Sequence, residues 1–195
     1  MSAKDLIHQL KRNRSIYLTR DVSPGSKVKI IDAVYISAYN NDRVYEGCSR
    51  SVLAAINEHL CLTSEEGFKE CIKASTALAA GVARMGETCG GLIGGIMALG
   101  LEFGSEDMSL FERYTETMRI SRELFEKFKN LYDTVQCSEI QEKLLGRRYN
   151  FFKEEDRDAW YREGGLDKCA SVCAAAASLA AEIILDYRKK QNKII

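Results

Sequence analysis

Apolar residues recur three and four positions apart in one segment after another of this chain. No segment alternates apolar and polar residues over the length of a strand. Val28, Ile31, Val34, Tyr35 and Ala38 keep the helical spacing, and so do Phe111, Tyr114, Met118, Phe125, Phe128 and Tyr132. A stripe with that period can be buried only by packing helix on helix. The 195 residues include a single proline, so little interrupts helix formation. The expected fold is all-α: a single-domain helical bundle of about six helices over residues 23–195, preceded by an N-terminal arm at 1–22.

Local signals place the elements. Ser23 reads as a helix cap with Pro24 in the first turn. The run NNDR at 40–43 reads as a break, and a second helix is expected from Cys48 to Leu60. Thr63 or Ser64 followed by Glu65 and Glu66 starts a third, expected to reach Val82. An apolar segment follows from Cys89 to Leu101, then a long helix over 107–132 and a short one from Cys137 to Leu145. Residues 146–163 are charged and aromatic with weak periodicity. Gly164 and Gly165 precede the last helix, Leu166 to Lys190.

Bulk charge removes several function classes. The 28 basic and 28 acidic residues cancel, so neither nucleic acid nor an anionic membrane surface is an expected partner. The longest uncharged apolar run, Cys89–Leu101, is shorter than the roughly 20 residues of a membrane span. The N-terminus shows no apolar core of a secretory signal. A cytoplasmic protein is expected. Its seven cysteines are then metal ligands, redox thiols or small buried hydrophobes, not a disulfide framework. There is no CxxC pair, P-loop, dinucleotide fingerprint, GxSxG or HExxH. With only His8 and His59 present, a histidine-rich metal site is not expected.

The cysteines have a pattern. Cys48, Cys89, Cys137 and Cys169 each stand at or near an expected helix start, in EGCSRSVL, ETCGGLIGG, VQCSEIQE and DKCASVCA. Unpaired amides and the positive end of the helix dipole favour a thiolate there. Four such positions converging at one end of a bundle would outline a metal or redox site. Gly90, Gly91, Gly94 and Gly95 strip side chains from the helix behind Cys89. Glycine weakens a helix interior by about 0.5–1 kcal/mol relative to alanine, so close approach of another backbone is the expected use. The alanine-rich face of the last helix, Ala174–Ala177 with Ala180 and Ala181, is the expected partner.

The segment GVARMGETCGGLIGGIMALGLEFG at 81–104 resembles the signature of the C-GCAxxG-C-C family of redox-active proteins. EGCSRSVL, VQCSEIQEKLLG and KCASVCAAAASLAAEIIL resemble the family's other cysteine segments, in order, over roughly residues 30–187. Thr88 and the Gly90-Gly91 pair depart slightly from the signature, and Cys173 stands where an aliphatic residue is expected. The resemblance implies a small helical redox protein with Cys48, Cys89, Cys137 and Cys169 as family cysteines. A related domain in split-Soret-type cytochromes implies an iron–sulfur cluster, and four thiolates suit [2Fe–2S]. Electron transfer with a redox partner protein follows. CxxCH is absent, so covalent haem is not expected.

Other readings stand beside this one. Two of the thiols suffice for dithiol–disulfide chemistry without metal. A thiol enzyme acting on a small electrophile, or a non-catalytic helical interaction protein, are further classes. Cys61, Cys71 and Cys173 read as packing residues, although Cys173 lies one turn from Cys169 and can substitute as ligand or resolving thiol. Arg84 reads either as offsetting anionic sulfur or as half of a surface pair, with Glu87 as a helix cap. Met85, Met97 and Met118 read as core and His59 as an exposed helix-end residue. Trp160 and Phe151–Phe152 read as packing against the bundle ahead of covering a site mouth. The basic face of the arm reads as solvated, with a homodimer contact as its rival.

Overall fold

The computed structural model describes residues 24–191, so the arm read at 1–22 lies outside the described residues. Eight α-helices follow in order: α1 (Pro24–Tyr45), α2 (Cys48–Leu60), α3 (Glu65–Ser75), α4 (Gly90–Phe103), α5 (Phe111–Tyr132), α6 (Cys137–Leu145), α7 (Glu154–Arg162) and α8 (Gly165–Lys190). Among the described residues there is no strand, and one isolated antiparallel bridge joins Thr88 to Gln136. The all-α expectation agrees with this. The count of six does not, partly because 146–163 contains α7. Only Ala159 and Trp160 of α7 are buried, so no repeated apolar position reveals the helix in the sequence.

Two boundaries move. NNDR does not end α1, which continues to Tyr45 because Asp42 turns inward and Arg43 pairs with Asp167 at 2.8 Å. Glu46 and Gly47 stop it, with φ of +53° and +88°. The third helix ends at Ser75 instead of Val82, followed by a 3-10 turn at Thr76–Leu78. Alanine propensity predicts continuation, and tertiary packing overrides it.

The fold is organised by α8, which packs against α1, α2, α4 and α5. Helix α1 runs antiparallel to it, tied by Lys27–Asp186 at 2.6 Å near one end and Arg43–Asp167 near the other. By length and composition α8 could cross a membrane, but 61% of its most apolar window is buried against its neighbours. The expectation for α5 holds only in its second half. Ile120, Leu124 and Phe128 are buried, whereas Phe111, Tyr114 and Met118 stand in solvent.

Helix α4 sits between α2 and α8, and its glycines serve both contacts. A Cβ at Gly91 would lie 3.5 Å from the Ala176 Cβ, and one at Gly95 would lie 3.4 Å from the Ala180 Cβ. On the other side, a Cβ at Gly94 would land on the Ser49 carbonyl oxygen and 3.0 Å from the Val52 Cβ. The expected alanine face of α8 is thus one partner, and the first turns of α2 are the second.

Gly94 and Gly91 should therefore respond differently to a single methyl group. Gly94→Ala forces backbone apart and should cost about 1–3 kcal/mol by overpacking. Gly91→Ala meets ordinary contact distances and gains helix propensity, so its stability should stay within about 1 kcal/mol of the parent. Urea unfolding of the two variants checks this. Equal losses at both positions would mean that backbone approach to α2 is not the tight constraint.

Candidate thiol redox site

Five cysteines face one cavity, and different local devices put them there. Cys48 opens α2 directly after Gly47. Its Sγ rests on Gly90, where a Cβ would collide with it, and accepts the Ala80 amide N–H at 3.4 Å. Cys89 is the N-cap of α4 and Cys137 is the first residue of α6. The Thr88–Gln136 bridge fixes these two relative to each other. The Cys89 N–H donates to the Val135 carbonyl at 2.8 Å, and the Cys137 N–H donates to the Glu87 carbonyl at 2.6 Å. Cys169 and Cys173 lie one turn apart on a single face of α8.

Three of the four family-like cysteines are thus at helix starts. Cys169 is not, since α8 begins at Gly165 and places it in the second turn. All four, with Cys173, line a cavity of about 660 Å³ together with Asp42, Arg50, Arg84, Trp160 and Tyr161. Cys61, exposed at the C-cap of α2, and Cys71, half-buried in α3, are not part of the lining.

The segment between the 3-10 turn and Cys89 has an unusual backbone. Residues 80–84 take five consecutive positive φ values, from +51° to +72°, and Val82 is among them. L-residues resist this conformation by about 1–2 kcal/mol each, and β-branched ones most. Hydrogen bonds hold the turn: Ala83 N–H to the Ala77 carbonyl at 2.7 Å, Gly86 to Ala80 at 3.2 Å and Glu87 to Gly81 at 3.0 Å. The turn aims the Ala80 N–H at Cys48 and carries Arg84 to the cavity wall. Nothing in AAGVAR except Gly81 signals this in the sequence.

Electrostatics divide the thiols. The neighbouring Cys173 thiol, with the Ala80 and Ser49 amides, pulls the Cys48 pKa below the ordinary thiol value. Burial pushes Cys89 up to about 12, and the nearby Cys48 charge adds to the rise. Burial likewise holds Cys137 and Cys169 well above the ordinary value, while Cys173 rises first through its hydrogen bond with Cys48 and then through burial. The expectation that helix starts favour thiolates therefore fails for Cys89 and Cys137, where loss of water outweighs the dipole, and at Cys48 the lowering comes first from Cys173, with the amides adding to it.

Several residues acquire roles that the sequence did not reveal. Cys173, read as packing with a ligand or resolving-thiol role as the alternative, is fully buried within hydrogen-bonding reach of Cys48. Asp42 is buried in the wall with its Oδ1 unpartnered. Trp160 and Phe151 stack edge to face at 5.6 Å and line the cavity with Phe152, instead of merely packing on the bundle. The Trp160 Nε1 is buried with no nitrogen or oxygen partner, and the Cys169 sulfur is the group beside it. At the rim the Tyr161 hydroxyl donates to Glu46 at 2.6 Å, and Arg50 donates to the Glu46 carbonyl at 2.9 Å. Glu87 is not a side-chain cap, because α4 has none; its backbone carbonyl holds Cys137 instead. Met85 and Met118 are exposed and only Met97 packs on the core. His59 is half-buried and hydrogen-bonded to Ser37 at 2.8 Å, not exposed.

Five free cysteines gathered around one cavity in a helical bundle make this cavity the candidate functional site. A family model described as Putative redox-active protein (C_GCAxxG_C_C) matches residues 46–183, and the chain belongs to that family. A redox role comes with that membership. No curated protein and no solved structure matches the chain.

Asp42 gives the site a pH signature. Burial raises its pKa from 3.8 to about 6, against the pull of Cys173 and Ser51. The folded chain then binds the Asp42 proton more tightly than the unfolded chain does. This contribution to stability is complete below about pH 4, falls as pH rises to about 6, and is flat above that. The loss is on the order of 3 kcal/mol. Unfolding free energies of wild type and Asp42→Asn, compared from pH 4 to 7, isolate it from the surface carboxylates. A difference between the two that does not change with pH would show that Asp42 ionises normally.

Proposed function

We propose that the chain is an electron-transfer protein in which Cys48, Cys89, Cys137 and Cys169 hold an iron–sulfur cluster, [2Fe–2S] by its usual complement of four thiolates. One observation carries this reading: cysteines from four helices, far apart in sequence, line a single cavity. The donor set fits the group in kind and number, because soft thiolates are the ligands such clusters take. Among the described residues no three His, Cys, Asp or Glu side chains are grouped to hold one metal ion.

When bound, such a cluster supplies an electron-transfer couple. The chain's own residues prepare for it. Cys89, Cys137 and Cys169 are held protonated by burial, so ligation must release protons and must strengthen as pH rises. Trp160 has an indole N–H with no other partner on the Cys169 side, a donor to ligand sulfur. Arg50, Arg84 and Arg157 in the lining offset anionic sulfur. Seven free thiols without a disulfide suit the reducing cytoplasm.

Anaerobic reconstitution with iron and sulfide tests the proposal. The chain should bind both, absorb in the visible region, and load more completely at pH 8 than at pH 6. Cys89→Ser should abolish the chromophore, since Cys89 stands on the cleared glycine face between α4 and α8. Cys61→Ser, outside the cavity, should leave it intact. A colourless protein under strict anaerobiosis would overturn the cluster assignment.

A further inference from the structure

Cys173 is fully buried on the cavity wall, and its thiol lies within hydrogen-bonding reach of Cys48 and of Asp42. Adjacent residues of α4 locate the two independently. Gly90 rests on the Cys48 Sγ, and a Cβ at Gly91 would lie 3.6 Å from the Cys173 Cα and 3.7 Å from the Cys89 Sγ, so Cys89 is the competing neighbour. The Ala80 N–H points at the Cys48 sulfur from 3.4 Å and fixes its position at the start of α2. Cys48 is only partly buried, so a small molecule in the cavity reaches it before it reaches Cys173. The arrangement is that of an attacking thiol with a second thiol directly behind it.

We propose that Cys173 is the resolving thiol of Cys48: a hydroperoxide oxidises Cys48, and the pair closes to a buried disulfide. This rests on reading the cavity as a redox site, and it applies to chains in which Cys48 is not engaged as a ligand. The first step breaks the peroxide O–O bond. One oxygen goes to the Cys48 sulfur as sulfenic acid, and the other leaves, protonated, as water or alcohol. In the second step the Cys173 sulfur attacks the Cys48 sulfur. The S–O bond breaks, and hydroxide leaves with the Cys173 proton as water. Two thiols lose two electrons and one hydroperoxide gains them.

The test uses the full chain, reduced and stripped of metal with a chelator, then treated with hydrogen peroxide. Thiols are counted after alkylation and peptides are mapped by mass spectrometry. Wild type should lose two thiols, recover them with dithiothreitol, and yield a Cys48–Cys173 cross-linked peptide. Cys173→Ala should stop at a Cys48 sulfenic acid trapped by dimedone, with no reversible loss of two thiols. Cys173→Ser, closer in size and polarity, should behave the same and guards against a folding defect. A Cys48–Cys89 cross-link, an unmodified Cys48, or reversible loss of two thiols from Cys173→Ala would each overturn the pairing. The cluster is scored separately by the anaerobic chromophore. A colourless chain that forms the cross-link overturns the cluster and keeps the pair. A coloured chain whose stripped form never cross-links does the reverse.

Discussion

The close approach of α4 to α2 and α8 is the constraint on which the site depends. Gly90 and Gly94 bring the start of α4 against Cys48, Ser49 and Val52, while Gly91 and Gly95 bring it against Cys173, Ala176 and Ala180. Without side chains on either face, three helices share one narrow junction. Cys48, Cys89 and Cys173 are the sulfur-bearing residues of that junction. The bridge at Thr88–Gln136 then adds Cys137. The glycines' helix propensity is sacrificed for this, and burial of the surrounding apolar stripe compensates.

Bringing thiols into such a junction sets two forces against each other. Helix starts and amide donors favour the thiolate, whereas removal of water favours the thiol. Cys48 keeps the Ala80 and Ser49 amides and a neighbouring thiol, and its pKa falls. The Gly91 and Leu92 amides lie near the Cys89 sulfur and oppose the rise, yet burial still dominates. Cys48 is therefore shifted toward the thiolate, and Cys89, Cys137, Cys169 and Cys173 toward the thiol. Proton release is accordingly coupled to whatever deprotonates them.

The fold class and the four family-like cysteines were legible because helical periodicity and helix-start chemistry are local. Cys89 and Cys137 could be read as helix-start residues, but their lateral pairing could not, since it depends on two backbone hydrogen bonds across distant segments. Cys173 was legible as an alternative ligand or resolving thiol from its place one turn after Cys169, but its nearness to Cys48 was not, because a cysteine inside an alanine-rich helix looks like a small hydrophobe. Asp42 was hidden in NNDR, where four polar residues resemble a loop until packing turns one of them inward. Trp160 could be read from its charged stretch either as packing or as cover for a site mouth, and only tertiary contacts decide between the two. The left-handed run at 80–84 contradicts the propensity of its own residues, so only tertiary context can specify it.

That contradiction also explains where the molecule is firm and where it stores strain. At the end of the bundle away from the cavity, Arg188 and Glu102 pair at 2.6 Å with little solvent access, and Phe103 meets the Tyr187 ring at 5.5 Å. These contacts tie the last turn of α4 to the last turns of α8. With that end fixed, the glycine junction holds the first turn of α4 in register and the Thr88–Gln136 bridge anchors the chain just before it. The 80–84 turn therefore has both neighbours fixed, through the 3-10 turn on one side and the bridge on the other. A backbone held at both ends can keep an unfavourable conformation that would relax in isolation. Here the unfavourable conformation aims an amide at Cys48, so the rigidity of the helical core is what maintains the electrostatics of the reactive sulfur.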